Sequence, residues 1–331
     1  MATVVMGRGV RGRRAAATAA LLAATMTAAL AAGCTGGGGA GDDGRGTPEE
    51  SKPGTSPSAS GLSVLAVKID NASAARPSTG VDAADVVYAE QVEGGLSRLM
   101  AVYATRLPKT VGPVRSARES DLELLRQFDR PTLAFSGAQK NLLPLIDKAP
   151  LRAETPGNAP DAYFRAPDRQ APHNLYLRPS KVMPETPGEA ALTTGFRYGS
   201  APAGGTATAS QTVRYPAASF TFTWSKARDR WLVGMDGSPA TTSDGKRMAA
   251  ATVVVQSVKV RESAFRDFLG NNTPYTETVG SGKAKVLRDG RAYDVDWKRE
   301  KATDGTAFTT GDGTPVNFAK GQVWVVYTEA R

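Results

Sequence analysis

The stretch "ADVVYAEQVEGGLSRLMAVYATRL", Ala84 to Leu107, decides the fold. Two runs rich in β-branched, aromatic and aliphatic residues flank Glu93, Gly94 and Gly95, and that arrangement predicts a β-hairpin with a glycine-containing turn. Upstream, "SVLAVKID", Ser63 to Asp70, reads as a buried strand. Downstream, "GPVRSARESD", Gly112 to Asp121, sets Ser116 and Glu119 at the spacing of a capping box, ahead of Leu122, Leu125 and Phe128 at helical spacing. The expectation is a helix that starts after Ser116, with Arg115 and Arg118 at its mouth.

Beyond residue 205 nearly every segment alternates. In "SFTFTW" the side chains of Phe220, Phe222 and Trp224 share one face, and Thr221 and Thr223 the other. "RWLVGM", "TVVVQSVKV", "KAKVLRDG", "RAYDVDW" and "QVWVVYT" continue as strands, with "MDGS" and "RDGR" as turns. The small-residue stretch from Tyr198 to Thr212 divides the two regions. The fold class expected is α+β: a mixed α/β N-terminal domain, residues 62–205, followed by a smaller, mostly antiparallel β C-terminal domain, residues 206–331.

The first 33 residues contain Arg8, Arg11, Arg13 and Arg14, no Lys, Asp or Glu, and the apolar run Ala15 to Ala32. This is the order of a cleavable export signal. Its end, "LAAGC", resembles a bacterial lipobox, with Ala31 where Leu is usual. That resemblance makes Cys34, the chain's one cysteine, a lipid acceptor carrying diacylglyceryl and palmitate groups. The pair Arg13 and Arg14 leaves Sec and twin-arginine export both open. Residues 34–61 are Gly-, Ser- and Pro-rich and too poor in apolar groups to fold, so they read as a tether spanning roughly 30 Å. Loss of the signal lowers the formal charge from +9 to +5. That mild excess, without a basic run or an aromatic platform, argues against nucleic acid as a partner.

The chemistry available is narrow. One histidine, and no cysteine besides Cys34, exclude thiolate catalysis and any multi-His or Cys-rich metal site, and no cofactor motif stands out. No G-x-S-x-G elbow accompanies His173. "GSGKA", Gly280 to Ala284, departs from a phosphate loop at Glu277 and Ala284 and reads as the entrance of a strand. What remains is a constellation of Asp70, Asn71, Arg76, Glu90, Glu93, Arg98, Arg115 and Arg118 at strand ends and a helix start, with His173 and Asn174 in "APHNLY". Such groups form either a polar cleft for an anion or carbohydrate, or internal ion pairs that fix loops. With Asp121 added, four arginines meet four carboxylates, a balance that favours a self-satisfied network.

The segments "VKIDNASAARPSTGVDAADVVYAEQVEGGLSRLMAVY", "GPVRSARESD", "APHNLY", "TVVVQ", "GSGKAKVLRDG", "VDWKRE" and "GQVWVV" together resemble the YerB-type bacterial lipoproteins, a two-domain family of unknown function. The resemblance spans about residues 62 to 330. It implies a lipid-anchored protein on the extracytoplasmic face of the cell membrane, and the ten polar residues named above match the family's polar positions. Two functions are compatible with it. One is a binding protein for a cell-wall component or a wall-synthesis protein. The other is a hydrolase or transferase acting on wall glycan or a phosphorylated precursor, with Glu90 or Glu93 and Asp70 as acid and base.

Overall fold

The computed structural model describes residues 63–267 and 270–330. The export signal, the tether and Cys34 lie outside the described residues, all of which fall in one compact unit.

The hairpin forms as expected. Strands β2 (Val86–Gln91) and β3 (Ser97–Tyr103) pair antiparallel around a single 3-10 turn at Glu93–Gly95. Gly94 and Gly95 have φ of 67° and 70°, and a Cβ on Gly95 would stand 2.6 Å from the Pro216 ring, so glycine is required there. Strand β1 (Leu65–Asp70) pairs antiparallel with β3, and β4 (Thr132–Ala134) and β5 (Arg152–Glu154) follow it in parallel.

The region after residue 205 contributes to three structures. Strands β6 (Ser210–Tyr215), β7 (Ala218–Ser225) and β8 (Arg230–Met235) form an antiparallel second sheet. Strands β9 (Thr252–Val258), β12 (Gly280–Arg288), β13 (Arg291–Arg299), β14 (Ala307–Thr309) and β15 (Val323–Glu329) join the first sheet, while β10 (Val260–Arg266) and β11 (Asn272–Thr276) make a separate hairpin. The main sheet runs β14-β13-β12-β9-β15-β2-β3-β1-β4-β5, with the short strand Thr206–Ala207 added against β13. The last strand of the chain, β15, thus lies between β2 and β9, parallel to both, and carries the sheet across residue 205.

Both faces of this sheet are covered, which explains its nearly unbroken apolar runs. Leu65, Val67, Ile69, Val87, Ala89 and Trp324 pack toward the second sheet, where Phe220 and Phe222 lie 6.2 and 6.0 Å from the Trp324 ring. Ala66, Tyr88, Met100 and Val325 pack on the opposite face with Leu124, Leu125 and Phe128. The "MDGS" and "RDGR" turns are as expected. Asp236–Gly237 and Asp289–Gly290 all have positive φ, the two-residue geometry that matches strand twist.

The N-terminal half meets the α/β label only loosely. Among the described residues it holds two α-helices, α1 (Glu119–Leu125) and α2 (Leu143–Lys148), of seven and six residues. Pro131 lies just beyond the first, and Pro144 and Pro150 bracket the second. The molecule is mostly β, and its C-terminal half is mostly antiparallel, as expected.

Candidate functional site at the carboxyl edge of the main sheet

Strands β1, β2, β4, β5, β9 and β15 run in one direction, so their carboxyl ends share an edge. Ligand crevices form at such edges. Period-2 alternation puts Ala66, Lys68 and Asp70 of β1 on the face covered by α1. Strand register then aligns two rows across β1, β3 and β2: Lys68, Met100 and Tyr88, and at the edge Asp70, Arg98 and Glu90.

The inner row is closed. Lys68 is fully buried, and its Nζ contacts Glu90 Oε1 and lies 2.7 Å from Asp121 Oδ1 on α1. The Ser120 hydroxyl donates to Glu90 Oε2 at 2.9 Å. Burial alone would raise the Glu90 carboxyl, but the Lys68 charge and these hydrogen bonds overcome it and hold the group below its ordinary range. Asp121 moves the other way, to about 6. Burial raises it, Lys68 opposes, and the neighbouring Glu90 charge raises it again.

The start of α1 differs from expectation. Arg118, not Ser116, stands at the N-cap, and Asp121 Oδ2 accepts its backbone N–H at 2.7 Å. The reason is upstream: Arg115 N–H donates to Lys68 O at 2.8 Å, and Ser136 N–H donates to Arg115 O at 3.0 Å. These bonds hold the chain extended past Ser116, so no helix can begin there. The Ser116 hydroxyl lies 3.4 Å from that of Ser136, and Glu119 accepts a hydrogen bond from Ser263.

The outer row is partly open. Arg118 holds Glu93 through two parallel bonds, Nε to Oε1 at 2.6 Å and Nη2 to Oε2 at 2.8 Å, and Thr273 adds a third at 2.6 Å. Burial pushes the Glu93 carboxyl up, but Arg118 and Thr273 together hold it below its ordinary range. Asp70 Oδ2 lies 2.8 Å from His173 Nδ1 and 3.2 Å from Arg115 Nε. Arg98 is buried, and among the described residues the one hydrogen bond of its side chain is from Nη1 to Ser116 O at 3.0 Å. Among the described residues no carboxylate reaches it within ion-pair distance. Burial and repulsion by Arg118, partly offset by Glu93, push its guanidinium down to about 10.

Two expected members lie elsewhere. Arg76 turns away to Asp236 Oδ2 at 2.7 Å and to the Asn71 carbonyl at 2.7 Å, while the Asn71 side chain donates to Ser97. Asn174 accepts from Arg165 at 2.6 Å on the surface, facing away from the partner of its neighbour His173. With Lys68 in the place of Arg76, four cations still meet four carboxylates, but the pairing is uneven. Arg76 leaves with Asp236, and Lys68 absorbs Glu90 and Asp121. At the edge Arg98, Arg115 and Arg118 face Asp70 and Glu93, one positive charge in excess, set against the one negative charge in excess in the Lys68 cluster beneath. Lys68 was detectable, as a charge inside a buried strand. Asp236 and Thr273 carried no such signal, since they arrive from distant strands.

Next to Arg118 and Glu93 opens a cleft of about 400 Å³, also lined by Lys140, Leu142, Phe265 and Thr273.

Residues 52–192 match the N-terminal domain model of a family described as "Protein of unknown function (DUF3048)", and residues 211–325 match its C-terminal domain model. The Bacillus subtilis (strain 168) protein YerB, which is named as a lipoprotein, is 25% identical over 286 residues, covering 79% of this chain and 80% of that protein. The crystal structure of YerB protein from Bacillus subtilis superposes with a TM-score of 0.67 at 21% identity, covering 81% of this chain and 91% of that one. This likeness extends to the fold.

Proposed function

Because the chain belongs to the DUF3048 family, whose activity is not established, we propose its role from its own geometry: a lipid-anchored envelope protein that binds an anionic cell-wall component at the carboxyl edge of its main sheet. The anchor reading is supported by the signal and lipobox-like end at Cys34 and by the naming of YerB as a lipoprotein. The single observation that carries the binding reading is Arg98, a buried guanidinium whose one hydrogen-bond partner among the described residues is a backbone carbonyl. Burying a cation without a counter-charge is costly, and an incoming anion removes that cost. Arg115 and Arg118 lie near enough to lower the affinity of Arg98 for its proton, and so to strengthen the field on an anion placed there. A wall-synthesis protein presenting a carboxylate would use the same donors.

The test is retention of the purified chain on isolated, phosphate-bearing cell wall. Wild type is expected to be retained and Arg98→Gln to lose at least tenfold in affinity; equal retention of the two proteins would count decisively against the reading. Asp70, Glu90 and Glu93, expected as acid and base in the enzymatic alternative, are each tied to a cation, and Glu90 is buried. A two-carboxylate glycosidase mechanism finds no support in that arrangement.

A further inference from the structure

Resting on this anion seat, we infer that His173 and Asp70 form a general-base dyad and that the seat hydrolyses phosphodiesters. An ionised carboxylate only accepts hydrogen bonds, so in the neutral imidazole the 2.8 Å contact with Asp70 places the proton on His173 Nδ1 and the lone pair on Nε2. Asp70 is itself held in place. Arg115 Nε lies 3.2 Å from the same Oδ2, Ala72 N–H donates to Oδ1 at 3.2 Å, and the residue is 4% exposed. The imidazole therefore has a fixed orientation while its side chain stays 22% exposed, and among the described residues Nε2 has no hydrogen-bond partner. A buried carboxylate that orients a solvent-facing imidazole is the arrangement used for proton abstraction by histidine.

The charge count selects the substrate. Arg98 and Arg115 present guanidinium groups, which bind pairs of non-bridging phosphate oxygens. Arg98 is the edge guanidinium that no carboxylate reaches among the described residues, and one such cation matches the one negative charge of a phosphodiester, whereas a monoester brings about two. Arg115 and His173 meet at one carboxylate oxygen, so a phosphate on the free edge of Arg115 lies beside the imidazole. In the reaction, Nε2 takes a proton from water as the water oxygen bonds to phosphorus. The bond from phosphorus to one ester oxygen breaks, and that oxygen leaves with the proton returned by Nε2. The products are a phosphomonoester and an alcohol, and the arginines stabilise the charge that gathers on the non-bridging oxygens.

The full-length chain in detergent is tested with bis(p-nitrophenyl) phosphate for turnover and with diphenyl phosphate for binding. Wild type is expected to release p-nitrophenolate. His173→Gln is expected to lose roughly 100-fold or more in kcat, with diphenyl phosphate affinity changed by no more than a few fold. Wild type that binds diphenyl phosphate without turnover overturns the dyad and leaves the seat standing. Failure to bind diphenyl phosphate overturns both. A His173→Gln protein as fast as wild type assigns the activity to another group and overturns the inference.

Discussion

Two rows of charged side chains lie one strand step apart on the same face of the same sheet, yet they have opposite characters. The inner group, Lys68 with Asp121 of α1 and with Glu90 drawn in from the edge row, is sealed under α1 and keeps its hydrogen bonds internal, one lysine against two carboxylates. The outer row, Asp70, Arg98 and the arginines around them, reaches the edge and is left one negative charge short. The difference is one of counting within a fixed geometry. Lys68 draws in two carboxylates, so the arginines above it have fewer left. A buried network of this kind is weak evidence for stability but strong evidence for position: it holds the floor on which the outer row stands.

The largest effect expected is at Lys68. Lys68→Met leaves Glu90 and Asp121 buried without a cation and is expected to cost about 3 to 5 kcal/mol in chemical denaturation. A loss under about 1 kcal/mol would mean that the inner row is not the closed unit described. Next is Arg118→Ala, which strands the buried Glu93 with Thr273 alone; about 1 to 3 kcal/mol should be lost in the same measurement.

Asp121 beneath and Glu93 at the edge should also differ in the sign of their pH dependence. The folded-state pKa of Glu93 is depressed, so its contribution is present above the ordinary glutamate range and is lost as pH falls through the folded value. That of Asp121 is raised, so its contribution is fully present below the ordinary aspartate value of 3.8 and is lost as pH rises through about 6. Stability profiles of Glu93→Gln and Asp121→Asn are therefore expected to differ from wild type on opposite sides. Glu93→Gln should flatten the acid limb, and Asp121→Asn should remove a decline between about pH 4 and 6. Parallel changes in the two variants would dissolve the distinction between these two carboxylates.

The smallest stability effect is expected at His173. Its side chain is partly exposed and its one ion-pair partner is also held by Arg115, so His173→Ala should shift stability by no more than about 0.5 kcal/mol. A larger loss on thermal melting would make the histidine a structural clip.

What could be read in the sequence was local. The hairpin at Glu93–Gly95, the type of turn at Asp236–Gly237 and Asp289–Gly290, and the alternating face of Phe220 and Phe222 all depend on neighbours a few residues apart. The insertion of β15 between β2 and β9 depends on parallel pairing between strands more than sixty residues apart, which leaves no local mark in the chain. The polar site followed the same rule. Asp70, Glu93, Arg98, Arg115 and Arg118 could be singled out because they sit at strand ends and a helix mouth, and His173 because it is the chain's one histidine. The partner that Lys68 claims on α1, and the departure of Arg76 to Asp236, could not be, because each is settled by which distant segment arrives first at hydrogen-bonding distance. The helix start at Glu119 was missed for a related reason: the capping spacing of Ser116 is local, but the backbone tie from Arg115 to Lys68 and Ser136 that overrules it is not.

The proposal that the edge row binds an anion through Arg98 is tested most directly by calorimetric titration of wild type and Arg98→Gln with isolated phosphate-rich wall polymer at low salt. Wild type should bind with affinity that weakens as salt rises, and Arg98→Gln should bind at least tenfold more weakly while unfolding at an unchanged or higher temperature, since it no longer buries an uncompensated charge. A variant that binds as tightly as wild type, or that binds less only because it has lost stability, would show Arg98 to be a structural cation and the edge row to be as closed as the one beneath it.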